Sequence, residues 1–404
     1  MLEIGLIFRA LMRNKMGALL IAFQIALTMA IMVNAIFMIQ DRQQQMKRPS
    51  GIDENNTFYL TNTVFAQDHN FQAELQTDLN KIRKTPGIVD AIQINAIPLS
   101  GGGWSMSLQL EPGEDKDAIG SALYMVDEHG INTMGLTLIA GENFSQEDIQ
   151  WRGEGQSKWP PKTIITKTFA SQLFPDDWQS AIGKTFYISQ SQPMQIIGII
   201  EALQAPWNGW DGVERSMLVP FQMESSSSYY LIRTEAGKRD QMMPIIEKEL
   251  AESNKGRIIR RVTTIEDTRK RSYRQHNATN KILTTVVTTL TLITSFGIVG
   301  LAIFSINRRT KQIGTRRALG ANRWQIMRYF MVENFIISAI GVIIGSLGAV
   351  VLNMWLVSTF NLTPISFKLV FFGVVTLFLV GQLAVLYPAR KAALIPPATA
   401  TRTI

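Results

Sequence analysis

The chain has 404 residues and a net charge of +8, with 40 Lys and Arg against 32 Asp and Glu, and it has no Cys. The lack of cysteine excludes disulfides, thiolate metal sites and cysteine nucleophiles, while the length leaves room for two or three domains. The charge is unevenly spread: residues 41–281 hold 26 basic and 30 acidic side chains, net −4, and the remainder is net +12. The basicity therefore belongs to the flanks of apolar segments and does not point to nucleic acid.

Residues 16–40, 282–307, 334–367 and 369–389 carry no charged side chain. Each run is near the ~20 residues needed to span a bilayer as a helix. The expected fold class is a membrane protein with four transmembrane α-helices at roughly 17–39, 282–306, 334–357 and 369–387. A large mixed α/β extracytoplasmic domain is inserted between the first and second spans. The expected domains are 1–40 (cytoplasmic segment and first span), 41–281 (α/β domain) and 282–404 (three spans, a cytoplasmic helix at 308–321 and a cytoplasmic tail). The first apolar run is too long for a signal-peptide core and lacks a small-residue cleavage site, so it is read as a retained span.

Short loops rich in Lys and Arg stay in the cytoplasm. The flanks of the first span are balanced, with Arg9, Arg13 and Lys15 before it and Arg42, Lys47 and Arg48 after it. The last two spans decide: 358–367 has no charge, whereas Arg308, Arg309, Lys311, Arg316, Arg317, Arg323 and Arg328 crowd the loop before them. Both termini are then cytoplasmic, and 41–281 lies outside. The run Arg269, Lys270, Arg271, Arg274, Lys281 before the second span is an anomaly that long translocated domains tolerate.

Within 41–281, strand-like composition occurs at 57–65, 88–97, 104–111, 121–126, 161–166, 184–189, 194–201 and 228–233. Helices are expected at 71–85, 168–174 and 239–253; the first has Phe71, Leu75, Leu79 and Ile82 on one face and ends near Pro86-Gly87. From about Thr264 there is no Gly or Pro before Gly297, which allows one helix to run from the domain into the second span. His69, His129 and His276 lack metal-ligand spacing and read as surface histidines. Glu111, Glu114, Asp115 and Asp117 follow Pro112-Gly113 as an exposed turn without an EF-hand pattern. Gly183-Lys184-Thr185 imitates the end of a P-loop, but Trp178 stands where its first glycine belongs. Trp104, Trp207 and Trp210, with Pro206 and Gly209, fit either a contact surface or core packing.

The stretch 308–333 has seven basic residues and no acid before Glu333. Charge alone makes it a cytoplasmic anchor against anionic lipid. Its pattern goes further: Thr310 to Leu319 can extend the second span, Gly320 is placed to end that helix, and Asn322 with Gln325 forms a capping-box start for another. The second helix mixes Trp324, Ile326, Met327, Phe330 and Met331 with Arg323, Arg328 and Tyr329. It is expected to lie on the membrane surface, carrying Trp324, Arg328 and Glu333, before turning into the third span. Gly341, Gly345 and Gly348 place small residues along one side of that span, suited to packing within one subunit or between two.

IGTRRALGANRWQI followed by Glu333 resembles the signature of the FtsX-like domain of ABC transporter permease subunits of the MacB and FtsX kind. The likeness extends to FRALMRNKMGALLIAFQIAL (8–27) at the first span. VDEHGINTMGLTLIAGENFSQED (126–148) and TIITKTFASQLFPDDWQSAIGKTFYI (163–188) resemble the MacB-type periplasmic core domain, and YPARKAALIPPATA (387–400) resembles the family's ending. Thr399-Ala400-Thr401-Arg402 departs from that ending.

The resemblance implies a coupling helix seated in a groove of an ABC ATPase, a role falling on Ile313, Gly314, Arg316, Arg317, Ala318, Leu319, Gly320 and Ala321. Only about sixteen residues precede the first span, so the ATPase is expected to be a separate polypeptide that binds the ATP and magnesium. No catalytic, cofactor or metal site is expected in this chain. The other implied partners are a second permease, identical or a sibling, and a periplasmic adaptor with an outer-membrane duct. Implied functions are efflux of drugs or peptides, lipoprotein extraction or control of a cell-wall hydrolase, in the inner membrane of a bacterium. A membrane sensor with a ligand-binding α/β domain is the reading from another class.

Overall fold

The computed structural model describes residues 15–65, 70–153, 158–360 and 364–397. Arg9, Arg13, His69 and the segment 399–402 lie outside them. In chain order the helices are α1 (Lys15–Lys47), α2 (Phe71–Lys84), α3 (Gly130–Met134), α4 (Lys167–Leu173), α5 (Arg239–Ser253), α6 (Ile265–Ser272), α7 (Arg274–Arg308), α8 (Thr310–Ala318), α9 (Arg323–Phe360) and α10 (Phe367–Ala393). The strands are β1 (Thr57–Val64), β2 (Ile88–Ile94), β3 (Trp104–Gln109), β4 (Ile119–Met125), β5 (Leu138–Gly141), β6 (Gln150–Arg152), β7 (Lys162–Thr166), β8 (Thr185–Ile188), β9 (Gln192–Ile200), β10 (Ser216–Val219), β11 (Phe221–Met223), β12 (Ser227–Thr234) and β13 (Arg257–Thr264). They form two compact units: Lys47–Gln275, and the described parts of Met1–Met46 with His276–Ile404.

The α/β unit contains two main sheets. The smaller has the order β13-β1-β12-β2 and is antiparallel throughout. The larger has the order β5-β9-β7-β10-β4-β3-β8, and an additional β9–β8 pairing closes it on itself. Alternation of side chains along its strands sorts residues into two cores. Leu123, Met125, Ile165, Met217 and Val219 join one cluster, while their neighbours Ala122, Tyr124, Ile164 and Leu218 join another that includes Ile92, Ile94 and Leu231 of the smaller sheet.

The smaller sheet's other side, with Phe58, Leu60, Tyr230 and Ile232, packs on α2 and α5. Helix α2 shows why: Asn70 caps it by accepting from the Ala73 N–H, and Leu75, Leu79 and Ile82 are buried at helical spacing. Burying each such side chain contributes roughly 2 kcal/mol.

A β-bulge interrupts the β1–β13 pairing. Tyr59 faces Thr263 and Thr61 faces Arg260, so Arg261 and Val262 stand opposite Leu60 alone. Arg261 takes φ +53°, a left-handed conformation that costs a non-glycine residue about 1–2 kcal/mol.

The expected continuous helix from Thr264 into the second span is not present. Helix α6 ends at Ser272, Tyr273 has φ −91° and ψ 9°, and α7 starts at Arg274. The Tyr273 side chain is buried and lies under the Arg269 guanidinium, 5.5 Å from it. Its burial fixes the interruption where no glycine or proline marks one.

In the membrane unit α1, α7, α9 and α10 are each long and apolar enough to cross a bilayer. Their core holds Ile25, Met29 and Val33 of α1, Ile298 of α7, Ile337 of α9, and Leu377 and Val385 of α10. Polar side chains inside hydrocarbon are costly unless bonded, and here they join helices. Thr28 and Thr294 hydroxyls are 2.8 Å apart, Asn34 Nδ2 donates to the Ala349 carbonyl at 3.0 Å, and Asn334 Nδ2 donates to the Gly381 carbonyl at 3.0 Å.

The third-span glycines serve packing inside the chain. A Cβ at Gly341 would lie 2.8 Å from the Ala22 carbonyl oxygen, and one at Gly345 would lie 2.6 Å from Met29 Cβ. Gly348 is looser, at 3.6 Å from Ala30 Cβ.

Candidate functional site

The stretch 308–333 folds as a short helix, a tight turn and the start of a long helix. Helix α7 ends at Arg308, Arg309 leaves helical geometry at φ −108° and ψ 13°, and α8 begins at Thr310. The expected extension of the second span through Leu319 is therefore interrupted at one residue. At the other end Gly320 has φ +96°. Its N–H donates to Arg317 O at 3.2 Å and the Ala321 N–H donates to Arg316 O at 3.0 Å, the two bonds of a Schellman turn. The capping box follows at once: Asn322 Oδ1 accepts from the Gln325 N–H at 2.8 Å, and Gln325 Oε1 accepts from the Asn322 N–H at 2.9 Å.

Helix α9 then runs unbroken from Arg323 to Phe360. This corrects the expected membrane-surface helix. Trp324, Arg328 and Glu333 lie on the opening turns of the third span's own helix, with no turn between. The stretch has no Gly or Pro before Gly341. Ile326 and Phe330 are buried one turn apart on a face that continues to Ile337.

Helix α8 is seated from beneath. Ile313 and Gly314 are buried, and Ile313 clusters with Ile306, Ile326, Phe330, Ala389, Ala392 and Ala393 from α7, α9 and α10. A polar clamp reinforces the seat. Arg309 Nη1 donates to Glu333 Oε2 at 3.0 Å and to the Tyr329 hydroxyl at 3.2 Å, while the Arg316 guanidinium lies 5.1 Å over the Tyr329 ring. Arg317 Nη1 donates to the Ala321 carbonyl at 3.3 Å, bracing the turn.

The remaining face is open. Leu319 is 83% exposed and Trp324 is 60% exposed, with Lys311, Arg316, Ala318, Arg323 and Arg328 also exposed. Among the described residues, the Arg309–Glu333 bridge is the only ion pair within 308–333. The structure places Ile313, Gly314, Arg316, Arg317 and Ala318 on α8, with the first two turned inward, and Leu319, Gly320 and Ala321 in the turn that ends it. Sequence reasoning missed the roles of Arg309 and Tyr329. The available signal was the single acid, Glu333, in a basic stretch.

The α/β unit holds a separate buried polar cluster. Arg83 bridges Asp90 (3.1 Å) and Asp127 (2.9 Å), and Asp90 also contacts His129 Nδ1 at 2.9 Å and accepts from Asn132 Nδ2 at 2.7 Å. Burial pushes the Asp127 carboxyl up despite Arg83. Burial alone would raise Asp90 too, but hydrogen bonds from His129, Asn132 and the Ala91 N–H outweigh it and hold it below the usual range. The hydrogen bond to Asp90 raises His129 in turn. Among the described residues no group of three or more His, Asp or Glu is arranged to hold a metal.

Gly183-Lys184-Thr185 leads into strand β8, not a helix. Trp207 and Trp210 make an edge-to-face pair against the core, with centroids 6.0 Å apart, whereas Trp104 lies 5.6 Å from the Arg152 guanidinium.

Residues 284–397 match the family described as FtsX-like permease C-terminal. YknZ of Bacillus subtilis (strain 168), an uncharacterized ABC transporter permease, is 24% identical over 99% of this chain and 98% of its own length. The macrolide export ATP-binding/permease protein MacB of Campylobacter jejuni (strain NCTC 11168) is 26% identical over 67% of this chain, which spans only 43% of that protein. The crystal structure of the periplasmic region of MacB from Actinobacillus actinomycetemcomitans aligns with 56% of this chain and 97% of its own, at 15% identity and TM-score 0.34. A score that low adds no weight.

Four apolar helices long enough to span a bilayer, an α/β domain inserted after the first, and a seated helix following the second define a multi-span membrane protein. Residues 284–397 carry an FtsX-like permease C-terminal domain, and the chain as a whole is similar to an ABC transporter permease, YknZ, along nearly its full length.

Proposed function

We propose that α8 is the docking element for a separate ABC ATPase, which binds ATP and magnesium and drives conformational change in an extracytoplasmic α/β domain. The observation that carries this reading is the two-sided character of α8. One side is locked by Ile313, Gly314 and the Arg309–Glu333–Tyr329 clamp, and the other exposes Arg316, which stacks on Tyr329 but has no ion-pair partner among the described residues, with Leu319 exposed at the helix end. A helix fixed to its own subunit and open on its far side can pass a push inward without being displaced.

Buried Thr28, Asn34 and Asn334 are engaged between helices, which suits force transmission better than a polar transport path. On this reading the protein works in a bacterial inner membrane as a dimer, identical or sibling, with both termini cytoplasmic. Similarity to the macrolide export protein MacB favours efflux over lipoprotein extraction or cell-wall hydrolase control, and a periplasmic adaptor with an outer-membrane duct would complete the route.

The test is purification of the tagged full-length protein with its membrane partners, beside the Arg316→Glu/Leu319→Asp variant. Recovery of an ATPase with the wild type and its loss with the folded variant supports docking. Equal recovery with both sinks it. A sensor would bring down a signalling protein and no ATPase.

A further inference from the structure

Docking by α8 leaves the basic run before the second span unused. Part of that run is spoken for: Arg269 bridges Glu54 at 2.6 Å and Lys270 bridges Glu266 at 2.7 Å. Among the described residues Arg271 has no such partner. Together with Arg261 it lines a cleft of about 740 Å³ within the α/β unit, walled by Tyr59, Leu99, Trp207 and Tyr229. That volume lies in the range of small-molecule sites, roughly 300–1,000 Å³. We propose that this cleft binds a small anionic amphiphile. Its ring or acyl part rests on Tyr59, Tyr229 and Trp207, and its phosphate, sulfonate or carboxylate lies between Arg261 and Arg271.

Two features select this chemistry. The first is what the lining leaves unsatisfied. Thr268 Oγ1 already bonds Tyr59 at 3.2 Å and Thr264 O at 3.0 Å, Asn208 Nδ2 donates to Ser272 O at 2.8 Å, and Ser100 Oγ donates to Gly102 O at 3.1 Å. Arg261 and Arg271 are the lining's charged side chains and both are exposed, and their complement is an anion.

The second is backbone strain. Four described non-glycine residues have positive φ: Leu99, Ser189, Gln190 and Arg261. Ser189 and Gln190 lie in the three-residue hairpin turn 189–191 joining β8 to β9, a setting where left-handed residues are common. Leu99 is the third residue of the Ile97–Ser100 turn and Arg261 lies in the β13 bulge, positions where glycine would be unstrained, and both line this cleft. Arg261 is aimed there by the bulge. Strain held at a cleft is a mark of a binding site. Binding here asks nothing of α8, so its failure and the failure of ATPase docking are distinguishable.

The test uses the full-length protein in phosphatidylcholine nanodiscs, titrated by fluorescence with 5-dimethylaminonaphthalene-1-sulfonate and with its uncharged sulfonamide. Empty nanodiscs are subtracted. Saturable sulfonate binding is expected, weakened about tenfold or more by Arg261→Gly and by Arg271→Gln, as befits loss of a charged hydrogen bond. The sulfonamide should respond little to either change, whereas Trp207→Ala should weaken both probes.

Arg261→Gly relieves strain, so its thermal midpoint should stay level or rise while binding falls, which separates the effect from unfolding. Absence of saturable sulfonate binding, sulfonate affinity unchanged in both arginine variants, or equal loss of both probes in those variants would overturn the assignment. So would competition by inorganic phosphate as effective as that by the sulfonate, which would make this a bare anion site.

Discussion

Arg309 and Glu333 close a bridge of 3.0 Å across the interruption between α7 and α8. The pair is largely buried, with side-chain exposures of 17% and 10%. The arginine belongs to the one residue that departs from helical geometry, and the acid to the helix that carries the third span. Removing one partner of a buried pair leaves an uncompensated charge, whereas removing both is far milder. Glu333→Ala should therefore lower stability by roughly 3 kcal/mol, read as the thermal midpoint in detergent. The double variant Arg309→Met/Glu333→Gln should recover more than half of that loss. A double variant as unstable as the single would show that the pair does not act as a unit.

Gly320 offers a purely conformational test. A Cβ there meets nothing within 4 Å, yet φ is +96°. Gly320→Ala should cost about 1–2 kcal/mol with no clash contributing, and Gly320→Asn should cost less because asparagine tolerates left-handed geometry. Under the proposed docking, ATPase stimulation should fall more for alanine than for asparagine. Equal behaviour of the two variants would remove the Schellman turn from the account.

Gly345 and Gly348 differ by one helical step in what they permit. Gly345→Ala places a methyl 2.6 Å from Met29 Cβ and 2.8 Å from the Ala26 carbonyl oxygen, against a neighbouring backbone that has to shift. Overpacking of this kind costs about 1–3 kcal/mol. Gly348→Ala gains an ordinary contact at 3.6 Å from Ala30 Cβ and should be neutral or slightly stabilising. Parallel thermal scans of the two variants decide the matter.

The His129–Asp90 pair makes part of the stability of the α/β unit depend on pH. His129 is raised in the folded state above its ordinary value of 6.5, so its contribution is full below about that pH. It is lost as pH rises through the folded value. Asp90 is held below 3.8, so its contribution is present above that value and lost as pH falls through the lowered one. Arg83 and Asp127 face the same cluster; burial-raised Asp127 adds its own loss of stability as pH rises. Between pH 6 and 8 the wild type should lose stability on the alkaline side, and His129→Gln should flatten that slope. A slope unchanged in His129→Gln would assign the pH dependence elsewhere.

Much of the chain was legible because its signals are local. Uncharged runs of span length marked α1, α7, α9 and α10, and helical spacing at Leu75, Leu79 and Ile82 marked α2. The capping box at Asn322 and Gln325 and the terminating Gly320 rest on three residues and are present in the structure. The features that escaped depend on distant partners. The short β10 and β11 owe their pairing to β4, β7 and β6, with no turn chemistry to isolate them. Tyr273 and Arg309 interrupt helices because one ring is buried and one guanidinium finds Glu333. Neither residue type breaks helices by itself.

Those two interruptions give α7 a mechanical character of its own. It is a segment of 35 residues, about 52 Å long at 1.5 Å per residue, with a one-residue articulation at each end. Under the proposed docking, a push on α8 would enter α7 through the backbone at Arg309, and the Arg309–Glu333 bridge would share that load with the third span.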